Sequence, residues 1–108
     1  MAKKRRKRSK RYFTKITEIA INAYNGSDDM KLKNKIYNRF IHYPFDKLSE
    51  NVIHTYKTYY FDVPYDDVKA NVVAFLNQKI TKFNGANGRA FSYFTVVARN
   101  YLFNENNA

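Results

Sequence analysis

The chain has 108 residues, the size of one domain, and sets 20 lysines and arginines against nine acids for a net charge of +11. It has no cysteine, which excludes a disulfide framework and any thiolate metal site, and its 10 tyrosines and nine phenylalanines must supply much of any core. No apolar run approaches a membrane span, and no apolar stretch follows the basic N-terminus as a secretory signal requires.

Charge is unevenly placed. Eight cations (Lys3, Lys4, Arg5, Arg6, Lys7, Arg8, Lys10 and Arg11) fall within residues 3–11, which leaves the rest of the chain with 12 cations against nine acids. Residues 1–12 are therefore expected to form a disordered tail, because like charges repel and almost nothing apolar is present to bury. Such a tail has three readings: a solvated end, an arm contacting phosphates without sequence preference, or a nuclear-localisation signal.

From Thr14 the period becomes helical. Ile16, Ile19, Ala20 and Ala23 share one face, with Thr14 as N-cap. Asn25-Gly26-Ser27-Asp28 should end this helix, and Ser27 should cap a second, whose stack is Leu32, Ile36, Tyr37, Phe40 and Ile41. Pro44 should interrupt, and it suits the first turn of a third helix with a stripe of Leu48, Val52, Tyr56 and Tyr59, flanked by Ile53 and Tyr60. Pro64 breaks the chain again, although residues 59–63 are also rich in β-formers. A fourth helix opens with Asp66 and Asp67 in its first turn and continues through Val68, Val72, Phe75, Leu76, Ile80 and Phe83. Residues 84–88 hold two of the three glycines and read as a turn. The last helix should open near Ser92 and carry Phe94, Val97, Ala98, Tyr101 and Leu102. The expected fold is all-α, a compact bundle of about five helices over residues 13–108, and the abrupt polar end suggests a chain cut short of a longer parent.

Catalytic chemistry has little to stand on. His42 with Asp46, and His54 with Glu50, each make only a two-ligand pair, too few for a metal, and surface histidine is the plainer reading. Asp66 and Asp67 have a helix-dipole reason to sit where they do. With no glycine-rich phosphate loop and no nucleophile motif, the chain reads as a non-enzyme without cofactor, metal or small-molecule substrate. The aromatics point elsewhere. Phe91, Tyr93, Phe94 and Tyr101 lie on the last helix near Lys82, Arg89 and Arg99, with Asn100 on its solvent side. Rings interleaved with cations suit unstacked bases, since every base has a π-face and every nucleotide a phosphate. Spacing assigns Phe75, Phe83 and Phe94 to the core, and leaves Tyr93 and Tyr101 exposed.

The span from Asp67-Val-Lys-Ala-Asn-Val-Val-Ala-Phe-Leu-Asn-Gln-Lys-Ile-Thr-Lys-Phe83 through Gly88-Arg-Ala-Phe91-Ser92-Tyr93-Phe94 resembles conserved region two of bacterial sigma factors. With Tyr43-Pro44-Phe45-Asp46-Lys47-Leu48 added, the chain is most similar to the late-promoter RNA polymerase sigma factors of large contractile-tailed, T-even-like phages. The resemblance implies a sigma region-two-like bundle whose fourth helix docks on a coiled coil of host core RNA polymerase through Asp66, Asp67, Lys69, Ala70, Asn71 and Asn77. It implies that the last helix captures the minus-ten promoter element as single-stranded DNA, with Phe91 and Phe94 at family aromatics and the base-reading positions near Tyr101 and Asn104. The family's paired tryptophans fall on Val97 and Ala98, so the side chains that prop the duplex open are not present there. No domain for the minus-thirty-five element is expected in 108 residues, so the resemblance adds a phage co-activator and a sliding clamp as expected partners, and the cytoplasm of an infected bacterial host as the expected setting. The alternative is a general basic nucleic-acid-binding protein without polymerase contact, and a third reading is a structural helical protein tethered by its tail.

Overall fold

The computed structural model describes residues 12–56, 64–85 and 89–107, with the side chains of Tyr56 and residues 105–107 outside that description. The basic tail at 1–11, the aromatics Tyr59, Tyr60 and Phe61, and the middle of the glycine turn (86–88) lie outside the described residues.

Thr14 caps α1 (Lys15–Gly26): its hydroxyl accepts from the Ile16 amide (3.2 Å), and the Thr17 hydroxyl accepts from the Thr14 amide (3.2 Å). The buried face differs from the expected one. Thr17, Ala20 and Ile21 point inward, whereas Ile16 and Ile19 are 62% and 60% exposed and Ala23 is exposed too. α1 ends at Gly26 as expected, but the next helix, α2 (Met30–Ile36), is capped by Asp29 and not by Ser27. Asp29 Oδ1 accepts from the Lys31 amide (3.0 Å), while the Ser27 hydroxyl serves one step earlier and accepts from the Asp29 amide (3.1 Å). α2 buries none of its residues, so Leu32 is a surface side chain and not part of a stack.

Pro44 does not break the chain. α2 passes through a π turn (Tyr37–Ile41) straight into α3 (His42–Tyr56), and Pro44 sits buried in the first turn of α3. A proline ring clashes with the carbonyl four residues back and offers no amide proton, and a widened turn just upstream is one of the few ways a helix runs on past it. The π turn buries Ile41 and leaves Phe40 partly exposed. α3 then buries Phe45, Leu48, Ser49, Val52 and Ile53, with Ile53 fully enclosed and not flanking.

Pro64 opens α4 (Tyr65–Lys79), its carbonyl accepting from the Asp67 (3.0 Å) and Val68 (3.1 Å) amides. Val68, Val72 and Leu76 line its inner face and Ile80 and Phe83 continue it through a 3-10 turn (Ile80–Lys82), as the spacing predicts. Gly85, at φ 78°, occupies the left-handed region that favours glycine. α5 (Ala90–Asn107) starts two residues before the expected Ser92 cap. Its inner face is Ala90, Phe94, Ala98 and Leu102, all essentially inaccessible. Among the described residues there is no strand, and with α2, π turn and α3 counted as one continuous rod the expected five helices become four. α3, α4 and α5 pack pairwise around the Phe45–Phe94 ring pair (4.9 Å), and α1 with the π turn closes one end. No helix among the described residues is long and apolar enough to cross a membrane.

Candidate nucleic-acid and partner interfaces

α4 borders two grooves of different chemistry. On one side, Asp66, Lys69, Ala70, Val73, Ala74 and Asn77 face Tyr37, His42 and Asp46 across a groove of about 380 Å³. Four of the six residues that the sigma resemblance puts against polymerase therefore share one groove. Asp67 and Asn71 are exposed on α4 but do not line it. Lys69 is not a free cation: its Nζ donates to Glu50 Oε2 (3.1 Å) and Asp46 Oδ2 (3.4 Å), tying α4 to α3. The Lys69 hydrogen bond holds the Glu50 carboxyl below the usual range, helped by Lys47 (3.2 Å), while Glu50 in turn raises Lys69. Burial pushes the Tyr37 hydroxyl up, and a hydrogen bond with Asn77 pulls it part of the way back.

On the other side, Phe75 and Lys79 of α4 and Lys82 of the 3-10 turn face Tyr93, Val97, Asn100, Tyr101 and Asn104 of α5 across a groove of about 560 Å³. Phe75 stacks on Tyr101 (centroids 4.7 Å, planes 29° apart), and Lys79 Nζ lies 5.1 Å from the Phe75 ring. Tyr93 rests edge-on against Phe94 (4.9 Å) and tilts onto Phe83 (5.5 Å). The groove thus presents half-buried aromatic rings with lysines at its rim, the pairing of π-faces and cations that unstacked nucleotides favour.

The expected DNA-contacting residues fall in four places. Tyr93, Asn100, Tyr101 and Asn104 come together in this groove. Arg89 and Phe91 lie apart from it, in a depression of about 410 Å³ with Phe13, Thr14, Lys15 and Glu18, where Phe91 packs edge-on against Phe13 (5.5 Å) and Tyr12 (6.3 Å). Arg99 lines neither. Phe94 is withdrawn altogether: it is fully enclosed against Phe45 and Phe83 and cannot touch DNA in this conformation, which agrees with its core spacing and corrects its place among the contacting residues. Phe75, expected in the core, stands at the groove wall instead. Seven residues after Val68 it shares that residue's side of the helix, so spacing alone gives no signal, and the packing of α4 against α5 is what puts it at the groove wall. Of the two positions where the sigma resemblance puts the family's tryptophans, Val97 lines the groove and Ala98 is buried.

α1 holds the helix ends that frame the groove. Glu18 and Asn25 are two turns apart on α1. The Asn25 side-chain amide donates to the carbonyls of Ile80 (2.9 Å) and Phe83 (3.2 Å) at the end of α4, and Glu18 Oε1 accepts from the Ala90 amide (3.0 Å) at the start of α5. Each helix end thus receives the polarity it lacks: a donor for terminal carbonyls, a carboxylate for terminal amides. α5 has no acid in its own first turn, so Glu18 supplies the cap from another helix.

His54 stacks on Tyr65 (5.4 Å), its Nε2 3.4 Å from the tyrosine hydroxyl, and among the described residues no three His, Asp or Glu side chains gather as a metal site would require. Comparison with family models, with curated proteins and with solved structures finds no match for this chain.

Proposed function

We propose that this chain is a transcription factor of the sigma region-two kind, which binds core RNA polymerase through α4 and the α3–α4 groove and takes single-stranded promoter DNA into the α4–α5 groove. The observation that carries the reading is the division of α4 between two dissimilar grooves. One is lined by acids, small residues and an ion-paired lysine, and the other by stacked rings and lysines. A polar face of small residues whose lysine is already ion-paired suits a structured protein partner, and an aromatic–cationic groove suits unstacked bases. The phage late-promoter assignment, the minus-ten element, a co-activator with a sliding clamp, and the cytoplasm of an infected bacterium follow from the sigma resemblance.

The test is binding of the full chain to core RNA polymerase, with Asp67→Lys/Asn71→Ala and Phe75→Ala/Tyr101→Ala as the two variants. The first pair should weaken polymerase binding and leave single-strand affinity unchanged; the second should do the reverse. A chain that binds single strands but holds core polymerase no better than an unrelated protein of equal charge would be the general nucleic-acid-binding protein instead.

A further inference from the structure

The folded body carries a second concentration of charge. Between Met30 and Phe45 there are four cations (Lys31, Lys33, Lys35 and Arg39) and no acid. Outside the tail and this segment, eight cations meet nine acids, so the net positive charge of residues 12–108 resides entirely in α2 and the π turn. Lys31, Lys35 and Arg39 follow one another at four-residue spacing, all exposed, and none makes an ion pair among the described residues. Lys33 instead lies over the Tyr24 ring, 4.6 Å from its centroid.

Ordinary reasons for this arrangement fail. Like charges at i, i+4 work against a helix. A helix C-terminus would welcome cations, but α2 does not end: it continues through the π turn into α3, so no exposed carbonyl end is there to be compensated. Nor are the lysines the polar back of a buried helix, because no residue of α2 is fully buried and only Ile36 packs partly against the core. What such a row complements is a row of anions with regular spacing, free of any need for a pocket.

We infer that Lys31, Lys35 and Arg39 form a docking strip for the phosphate backbone of duplex DNA, separate from both grooves on α4. The strip contributes affinity and orientation without base selection, as phosphate contacts do. It rests on the nucleic-acid part of the proposed function and is independent of polymerase docking.

The experiment is the salt dependence of binding of the full chain to a mixed-sequence DNA duplex, for wild type, for Lys31→Gln/Lys35→Gln/Arg39→Gln, and for Lys31→Arg/Lys35→Arg. Glutamine and arginine are helix formers comparable to lysine, and a melting curve checks that each variant is folded. Each neutralised phosphate adds about 0.9 to the slope of log affinity against log salt, so the glutamine variant should lose about 2.7 from that slope. Raising salt from about 50 to about 200 mM should then weaken wild type about 40-fold more than the variant. The arginine variant should keep the wild-type slope. A glutamine variant with the wild-type slope, while wild type itself binds steeply, overturns the strip and leaves the rest of the nucleic-acid reading standing; such a result would turn the strip towards an acidic protein surface. A wild type with no salt-dependent duplex binding removes both.

Discussion

The bracket made by α1 permits a sharp test, because its two members use opposite polarity. Glu18→Ala removes the acceptor from the Ala90 amide at the start of α5, a position with no local acid to replace it. Loss of an N-terminal cap costs about 1 kcal/mol, within a range of roughly 0.5–2. For a domain of this size, that corresponds to about 4–8 °C in Tm. Glu18→Gln keeps an acceptor oxygen and loses the charge, so it should cost only the dipole share, about 0.3–1 kcal/mol. Asn25→Ala removes two donated bonds, to Ile80 and Phe83, each worth about 0.5–1.5 kcal/mol net; the Ile80 carbonyl keeps the Phe83 amide, and the Phe83 carbonyl loses the Asn25 donor. The double variant Glu18→Ala/Asn25→Ala should show a coupling of at least about 0.5 kcal/mol, since both residues fasten the same turn. The assay is urea unfolding of the four variants, with single-strand binding recorded alongside. Asn25→Ala should also loosen single-strand binding, since Phe83, whose carbonyl it holds, is what Tyr93 leans on at the groove. Equal costs for Glu18→Ala and Glu18→Gln would remove the capping role, and strict additivity in the double variant would mean that the two contacts are independent and no bracket exists.

Two further outcomes follow from burial and charge. Phe94→Ala empties the centre of the core and should destabilise by roughly 3–5 kcal/mol, whereas Tyr101→Ala should chiefly lower affinity for an AT-rich single strand, by about 1–3 kcal/mol per stacked base; thermal melting and strand binding of the pair separate core from surface. Glu50 is held below its unfolded value by Lys69, so its contribution is present above the ordinary glutamate range and is lost as pH falls through it. A fall in stability below about pH 4.3, absent in Glu50→Gln, is the expected profile, and its size should stay under about 1 kcal/mol because the pair is partly exposed.

How much of this was legible beforehand depends on whether a residue's neighbours are near in sequence. The inner face of α4 could be read because Val68, Val72 and Leu76, with Ile80 and Phe83 after them, repeat at helical spacing, although Phe75 fits the same spacing and stands at the groove wall. α1 misled because apolar residues lie on either side of Ala20, and the choice between Ile16 with Ile19 and Thr17 with Ile21 is made by the π turn and α2 packing beside it. Caps were ambiguous wherever several side chains could serve: Ser27, Asp28 and Asp29 all qualify, and only the backbone decides. The α4–α5 groove was half visible. Tyr93, Asn100, Tyr101 and Asn104 lie on one side of a single helix, but Phe75 joins them only because α4 packs against α5. Glu18 and Asn25 could not be found at all, since their partners lie 72 and up to 58 residues away.

The distribution of charge leads to a last prediction. Tail and strip together offer eleven cations to phosphates, while the groove offers rings. The two act differently as salt rises. A duplex loses about 0.9 of slope per contacted phosphate and a single strand about 0.7, so with all eleven engaged the single-strand preference should grow as salt to the power of about 2.2, or roughly 20-fold for a fourfold rise in salt. Stacking on Phe75 and Tyr101 has no counterion to release, so it should set the intercept of that plot and not its slope. Tyr101→Ala should therefore lower single-strand affinity by one constant factor at every salt concentration, and neutralising the strip should change the slope and leave the high-salt preference in place. Titrations of one labelled single strand and its duplex across a salt series measure both. If Tyr101→Ala alters the slope, the ring serves to hold a phosphate-contacting side chain in place and the groove is an electrostatic one. If single-strand preference falls as salt rises, unstacked bases are not what the groove selects.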